Sequence, residues 1–335
     1  MLSPLASDLG VQYLLVAAEQ APSVLNTQPW RLRTSGHDLA ELLCDPSRRL
    51  RVSDPRGRSM HLSCGAALFN LRLAVRVGGH RPTVSLLPDP DEPELLASIR
   101  MTDSTPANAT ERALYSAIRV RRTNREPFED RMIPPSVMAG LRIAATREGA
   151  NLLPLDGAAA NELLEQVALA DDEIERDKSY LAELAAWTAG RALFDGVPRH
   201  VHGPRADRDP APVRDFGLGH RGRDRRVERF ESHPQLAVLT TRGDRPVDWL
   251  HAGQALQRVL LMATCHGISA SFLNQPLDLR DMRRRTDPRH ARGHAQMIIR
   301  LGYGPVVPRA PRRPAGELLL QERRGRDRLM PLLRL

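Results

Sequence analysis

The sequence predicts an α+β fold in which two related halves of one chain pack against each other. The first observation behind this is a degenerate internal repeat. Setting Gly65 on Gly253 brings GAALFNLRLAVRVGG onto GQALQRVLLMATCHG without a gap, pairing Ala67 with Ala255, Leu68 with Leu256, Leu73 with Leu261 and Gly79 with Gly267. The second is periodicity: Leu62, Ala66, Phe69, Leu73 and Val77 recur at helical spacing, as do Ala252, Leu256, Val259 and Ala263, so each repeat reads as a buried helix. The third is size, since 335 residues, 41% of them hydrophobic, suffice for two ordinary domains or one large intertwined one.

The elements follow in order. Residues 5–20 are amphipathic and stop before Pro22, so APSVLNTQPW (21–30) is a loop leading into a strand. Residues 30–33 and 39–44 then form a hairpin, a turn-rich segment holds Asp45, Pro46, Asp54, Pro55 and Gly57, and the first repeat helix spans 60–77. Residues 81–87 are the next strand. A polar, proline-containing stretch, 102–109, joins a first half (1–101) to a second (110–320), and 321–335 form a tail. In the second half 111–120 are helical, so RRTNREPF (121–128) begins at the helix end and continues in the loop beyond. Pro134 and Pro135 open another helix, 162–189 read as one long helix, 236–240 as a strand, 247–266 as the second repeat helix and 295–301 as the last strand. Between residues 198 and 234 the pattern dissolves into Arg, Asp, His, Gly and Pro. That is long for a structureless loop inside a compact domain, so residues 198–234 are either a functional lid or disordered.

Composition excludes several functions. The net charge of +9 comes almost entirely from arginine, Lys178 being the sole lysine, and aromatics make up 4% without interleaving the basic residues, so a nucleic-acid platform is not expected. The longest apolar runs, such as 14–18 and 259–263, are too short to cross a bilayer, and the N-terminus lacks a basic-then-apolar secretory pattern; a cytoplasmic location is expected. Cys44, Cys64 and Cys265 form no CxxC pair and suit buried thiols in a reducing compartment. His290 and His294, like His200 and His202, lack the companions a metal site needs, so no metal is expected. GLGHRG (217–222) matches the dinucleotide fingerprint, but polar sequence surrounds it where a strand and a helix are required, and that reading is rejected.

Two stretches carry the chemistry. APSVLNTQPW and RRTNREPF each contain what the other lacks, and together they resemble the nitroreductase family. SCGAALFNLRLA, WLHAGQALQRVLL and SFLNQP are similar to its two-halved, Acg-type branch of actinobacteria, and the resemblance covers about two thirds of the chain. It implies FMN at an interface that family homodimers build from two subunits and that this chain would complete internally. One FMN per chain is expected, because residues after Leu141 read RIAATREGANLLPLDG and keep none of a second PSxxNxQPW.

The resemblance also assigns the site. A nearly dianionic phosphate calls for converging guanidinium forks, and the matching positions are Arg121, with Arg122 beside it, and the basic pair Arg312 and Arg313 in LGYGPVVPRAPRRP. Thr123 keeps the hydroxyl of the family's Ser, and Arg125 keeps a cation near the pyrimidine edge, where it would stabilise negative charge developing on reduction. Pro22, Ser23 and Asn26 would meet the ring or the ribityl chain, while Gln28 and Trp30 are structural. Phe272, Leu273 and Asn274, in GISASFLNQP, would form the floor around N5 and O4; many members carry Glu near Asn274, and this chain does not.

The implied activity is transfer of hydride from NAD(P)H to FMN N5 and on to a nitro-aromatic or quinone, in a ping-pong cycle that needs no protein nucleophile, and no catalytic residue is assigned. The alternative is a lidded flavin-sequestering protein with little or no turnover: the resemblance implies a lid of extra sequence over the site, which the span 187–233 would supply. An internally completed interface favours a monomer or a weak dimer.

Overall fold

The computed structural model describes Leu5 and residues 7–188, 194–207, 210–216, 225–279, 282–283 and 293–320. Helix α1 (Asp8–Glu19) starts where the Ser7 hydroxyl accepts the Gly10 N–H. β1 (Trp30–Ser35) and β2 (Leu39–Cys44) form the hairpin, followed by α2 (Arg58–Val77), β3 (His80–Leu86) and β4 (Leu95–Ser104). α3 (Ala109–Ile118) opens with a reciprocal cap between Asn108 and Glu111. Then come α4 (Pro135–Thr146), β5 (Asn151–Pro154), α5 (Gly157–Arg176), α6 (Lys178–Thr188), the two-residue strands β6 (Arg205–Ala206) and β7 (Val227–Glu228), β8 (Gln235–Thr241), α7 (Pro246–Cys265), β9 (Ser269–Phe272), β10 (His294–Gly302) and β11 (Leu319–Leu320).

The two main sheets repeat one plan. The first has the order β11-β1-β2-β4-β3 and the second β5-β8-β10-β9. Placing β1 on β5, β2 on β8, β4 on β10 and β3 on β9 makes the orders coincide, with every one of these pairings antiparallel. The exception is β11, which leaves the second half and adds a parallel edge to β1, Leu32 opposite Leu319. The C-terminal segment therefore crosses to the first half.

The repeat helices are the centre of the molecule. A Cβ on Gly65 would lie 2.4 Å from the Leu250 carbonyl oxygen, and one on Gly253 would lie 2.0 Å from that of Leu62. Leu62 and Leu250 are partners in the repeat as well, so the contact is reciprocal, as across a two-fold axis. The cores interlock in the same way: Leu250 packs in the first half's core and Leu62 in the second's.

Several expectations need correction. The stretch 102–109 is a linker only at 105–108, because β4 runs to Ser104 and α3 starts at Ala109. The single helix over 162–189 is two: Asp177 is extended (φ −89°, ψ 100°), and its carboxylate caps the second by accepting the Ser179 and Tyr180 N–H groups. β4, β5, β9 and β11 were not foreseen. GLGHRG and the tail 321–335 lie outside the described residues. Among the described residues no helix is long and apolar enough to cross a membrane.

Gly253→Ala is expected to destabilise the fold by about 3 kcal/mol, because backbone rather than a flexible side chain obstructs the new methyl group. Gly140→Ala, with nothing within 4 Å of the added carbon, should instead stabilise by roughly 0.5–1 kcal/mol. Urea denaturation of the two variants checks both signs.

Candidate functional site

The loop ahead of β1 is held in an unusual shape. Leu25 (φ 43°), Asn26 (φ 55°) and Gln28 (φ 48°) all adopt left-handed backbone conformations, which cost side-chain-bearing residues on the order of 1 kcal/mol each. Side chains impose that shape. The Ser23 hydroxyl accepts the Gln28 N–H at 2.9 Å, and Ser63 Oγ, on α2, accepts that of Val24 at 3.1 Å. Asn26 Nδ2 donates to the carbonyls of Gly196 (2.9 Å) and Pro311 (3.0 Å), while its Oδ1 accepts from Arg312 Nη1 (3.0 Å). The fully buried Gln28 donates to Phe194 O and accepts the Arg313 N–H.

RRTNREPF is fixed from the other half. Thr123 bridges in parallel to Ala270 at β9, and Asn124 Nδ2 donates to Ser269 Oγ and Pro305 O. At its far end Phe128 lies under the guanidinium of Arg300, 3.7 Å from the ring centroid. Arg300 is fully buried and forms two bonds to Glu231, 2.5 and 2.6 Å, while Glu231 also accepts the Phe128 N–H. This ion pair anchors the segment to β10.

Loop and segment meet across a cavity of about 1130 Å³, counting its opening to solvent. It brings together ten of the predicted residues: Pro22, Ser23 and Asn26 from the loop, Arg121, Arg122, Thr123 and Arg125 from the segment, Phe272 at the end of β9 and Asn274 just beyond it, and Arg312 from the crossing C-terminal stretch. Two predicted residues lie elsewhere. Leu273 is fully buried on the other side of its strand, among Leu163, Leu277 and Ile298, because successive side chains of an extended chain face opposite ways. For the same reason Arg313 turns away from Arg312; its Nη1 donates to the Gln28 carbonyl and lies 3.9 Å from Asp45.

The electrostatics are one-sided. Arg121 is 5% exposed and has no hydrogen-bonding or carboxylate partner for its guanidinium among the described residues. Burial, then the neighbouring Arg312 and Arg122, push its pKa down to about 9. Burial and Arg309 press Arg312 down to about 10, and burial and Arg214 do the same to Arg125. Arg122 caps the carbonyls of Arg119 and Arg121. Asp278 is the one carboxylate on the cavity wall among the described residues. It is already engaged, accepting from Tyr180 Oη at 2.8 Å and from Arg214 at 3.4 Å.

Sequence reasoning offered a lid as one reading of the span 187–233 but named none of the residues that form the roof. Val197, Val201, Arg214 and Phe216, from the stretch without periodicity, line the cavity from above. Arg125 Nη1 donates to Val201 O at 2.7 Å, the Phe216 ring stacks on Arg125 with 4.7 Å from guanidinium to centroid, Arg48 pairs with Asp195, and His202 braces the turn through Val197 O. Ser59, Leu62 and Ser63 were also missed; their i, i+3, i+4 spacing at the start of α2 was the available signal.

No family model matches the sequence. The Mycobacterium tuberculosis protein named "Putative NAD(P)H nitroreductase Rv3131" is 32% identical over 315 residues, spanning 92% of this chain and 90% of that protein. Another from the same organism, "Putative NAD(P)H nitroreductase acg", is 32% identical over 316 residues, 89% of this chain and 92% of its own. This chain belongs to the nitroreductase-like family that these relatives represent. Among solved structures, the FMN-dependent nitroreductase NfnB of Mycobacterium smegmatis, in complex with NADPH, is 18% identical with a TM-score of 0.40, over 63% of this chain and 99% of that one. A nitroreductase-named protein of Anabaena variabilis is 12% identical with a TM-score of 0.41, over 89% and 73%.

Glu231→Ala leaves Arg300 charged and unanswered in the core, and should destabilise the fold by about 3–5 kcal/mol. Replacing both residues together, as Glu231→Leu with Arg300→Met, should recover much of that loss in thermal melts. Equal loss in the single and double variants would show that the ion pair is not the anchor.

Proposed function

We propose that the chain is an FMN-binding oxidoreductase that takes hydride from NAD(P)H and passes it to a nitro-aromatic or quinone. The observation that carries this reading is Arg121, a buried cation facing a cavity with no protein anion to answer it. An uncompensated buried charge is costly enough that a fold retains it only where a ligand of opposite sign completes it. A phosphate dianion meets that demand, and guanidinium forks match its geometry.

Arg121, Arg122 and Arg312 would hold the phosphate. Arg125 would stabilise negative charge at the electron-rich edge of the ring, with Thr123 and Ser23 offering hydroxyls and Phe272 and Asn274 supporting the ring from below. Asn26, bonded to three partners of its own, would shape the wall. Bound FMN would supply the two-electron chemistry, accepting hydride at N5 and releasing it to the acceptor. Residues 1–101 and 110–320 would be the two family-like halves, with a monomer as the expected state.

The roof favours a second reading. Arg125, Asn26 and Gln28 hold it down by hydrogen bonds, and Arg214 by its pairing with Asp278; a roof that stays down would retain the flavin and exclude the nicotinamide. We rank turnover first. The purified protein should be yellow with about one flavin per chain, and anaerobic NADH or NADPH should bleach it within seconds; persistent colour would favour storage.

Arg121→Met should weaken flavin binding by about 1.5–3 kcal/mol while leaving the flavin-free protein no less stable, since the variant removes a desolvated charge. Unchanged flavin content would sink the phosphate assignment. The pH dependence has a definite sign. A phosphate dianion favours charged Arg121, whose ligand-free pKa is about 9, so affinity should be flat between about pH 7, above the second phosphate ionisation, and about pH 9, and should fall above that, as read by flavin fluorescence titration.

A further inference from the structure

Farther along α2, toward its C-terminal end, a second cleft of about 930 Å³ opens between α2, α3 and the start of β3, sharing no lining residue with the first cavity. Its wall carries five arginines, Arg72, Arg76, Arg81, Arg147 and Arg258. Against them stand two carboxylates. Glu148, behind the wall, accepts from Arg72 at 2.5 Å and from Arg258 at 2.7 Å, and Glu111 takes Arg76 at 2.8 and 3.2 Å.

The remaining donors point to a ligand. The guanidinium groups of Arg81 and Arg147 are solvent-exposed and have no protein partner among the described residues. The fixed cations are rigidly seated, because the Phe69 ring lies between Arg72 and Arg258, 5.6 and 5.7 Å from centroid to guanidinium. Thr110, in the first turn of α3, adds a hydroxyl to the cleft wall.

We propose that this cleft binds a small phosphate-bearing anion, gripped by Arg81 and Arg147 and oriented by the fixed guanidinium of Arg258. Concave walls of one sign focus the field and concentrate anions that a flat surface would not hold. Two or more phosphate charges would balance the excess cations, and each free fork can take a phosphate edge bidentately. A lone carboxylate would leave one fork idle.

The test is calorimetric titration of the protein as purified with inorganic pyrophosphate at low salt, while flavin absorbance is followed. We expect one saturable site per chain, weakened about tenfold or more in the double variant Arg81→Gln/Arg147→Gln, unchanged in the surface control Arg176→Gln, and weakened by added salt. ADP should bind and adenosine should not. Absence of saturable binding overturns the proposal. So does full affinity in the double variant, equal loss in the control, equal binding of adenosine, or binding that is abolished by Arg121→Met and therefore belongs to the first cavity.

Discussion

The approach of α2 to α7 at Gly65 and Gly253 is the contact on which the rest of the molecule depends. Each glycine lies against the carbonyl of the leucine three residues before the other, a spacing that a single methyl group on either helix would abolish. Polar side chains complete the seam: Gln257 donates to Asn70 at 2.7 Å, and Arg72 to Gln254 at 2.6 Å. The same helices supply cavity walls, Ser59, Leu62 and Ser63 from α2 and Leu256 from α7. Moving the helices apart would therefore widen the cavity and unseat the loop that Ser63 holds through Val24. Core packing and site geometry are one constraint here.

The plan is symmetric and the site is not, and loop length explains the difference. Between α1 and β1 the chain has residues 20–29, enough to fold the strained loop over α2; between α4 and β5 it has only 147–150. His251, the repeat partner of Ser63, is correspondingly filled in, its ring lying within 3.5 Å of where a Cβ on Gly149 would stand. The crossing C-terminal stretch deepens the asymmetry by delivering Arg312 to the first half and β11 to its sheet edge. One polypeptide can afford to finish a single site, since nothing compels its halves to be identical.

Much of this was legible because it rests on local chemistry. The repeat helices announce themselves by spacing, and the pairing of Gly65 with Gly253 found in the sequence proved to be a physical contact. The two motif stretches, roughly a hundred residues apart, meet at one cavity. What escaped was decided by tertiary context. Leu273 and Arg313 stand beside cavity residues in sequence, yet an extended backbone turns alternate side chains away, and motif matching does not see that alternation. β11 is two residues long and exists only because β1 offers an unpaired edge. The roof is built from arginine, proline and glycine without any period, so no pattern could distinguish Phe216 and Arg214 from solvated loop until Asp278 and Arg125 were seen beneath them.

That roof changes the energetics of everything it covers. Arg121, Arg125 and Arg312 are cations whose pKa values fall because water has been removed from around them, and the loop opposite holds three left-handed residues. Both features raise the energy of the ligand-free protein, and both are relieved, or made useful, only by a group that brings negative charge and fills the space. Sealing the cavity strengthens each such attraction by lowering the local dielectric. The same sealing hinders any second molecule from reaching the first. Arg214, bonded to Asp278 and to Tyr180, joins the hydrogen bonds of Arg125, Asn26 and Gln28 in tying the roof down. Under the proposed function, the strength of those ties would set whether tight holding and exchange of partners can coexist in one chain.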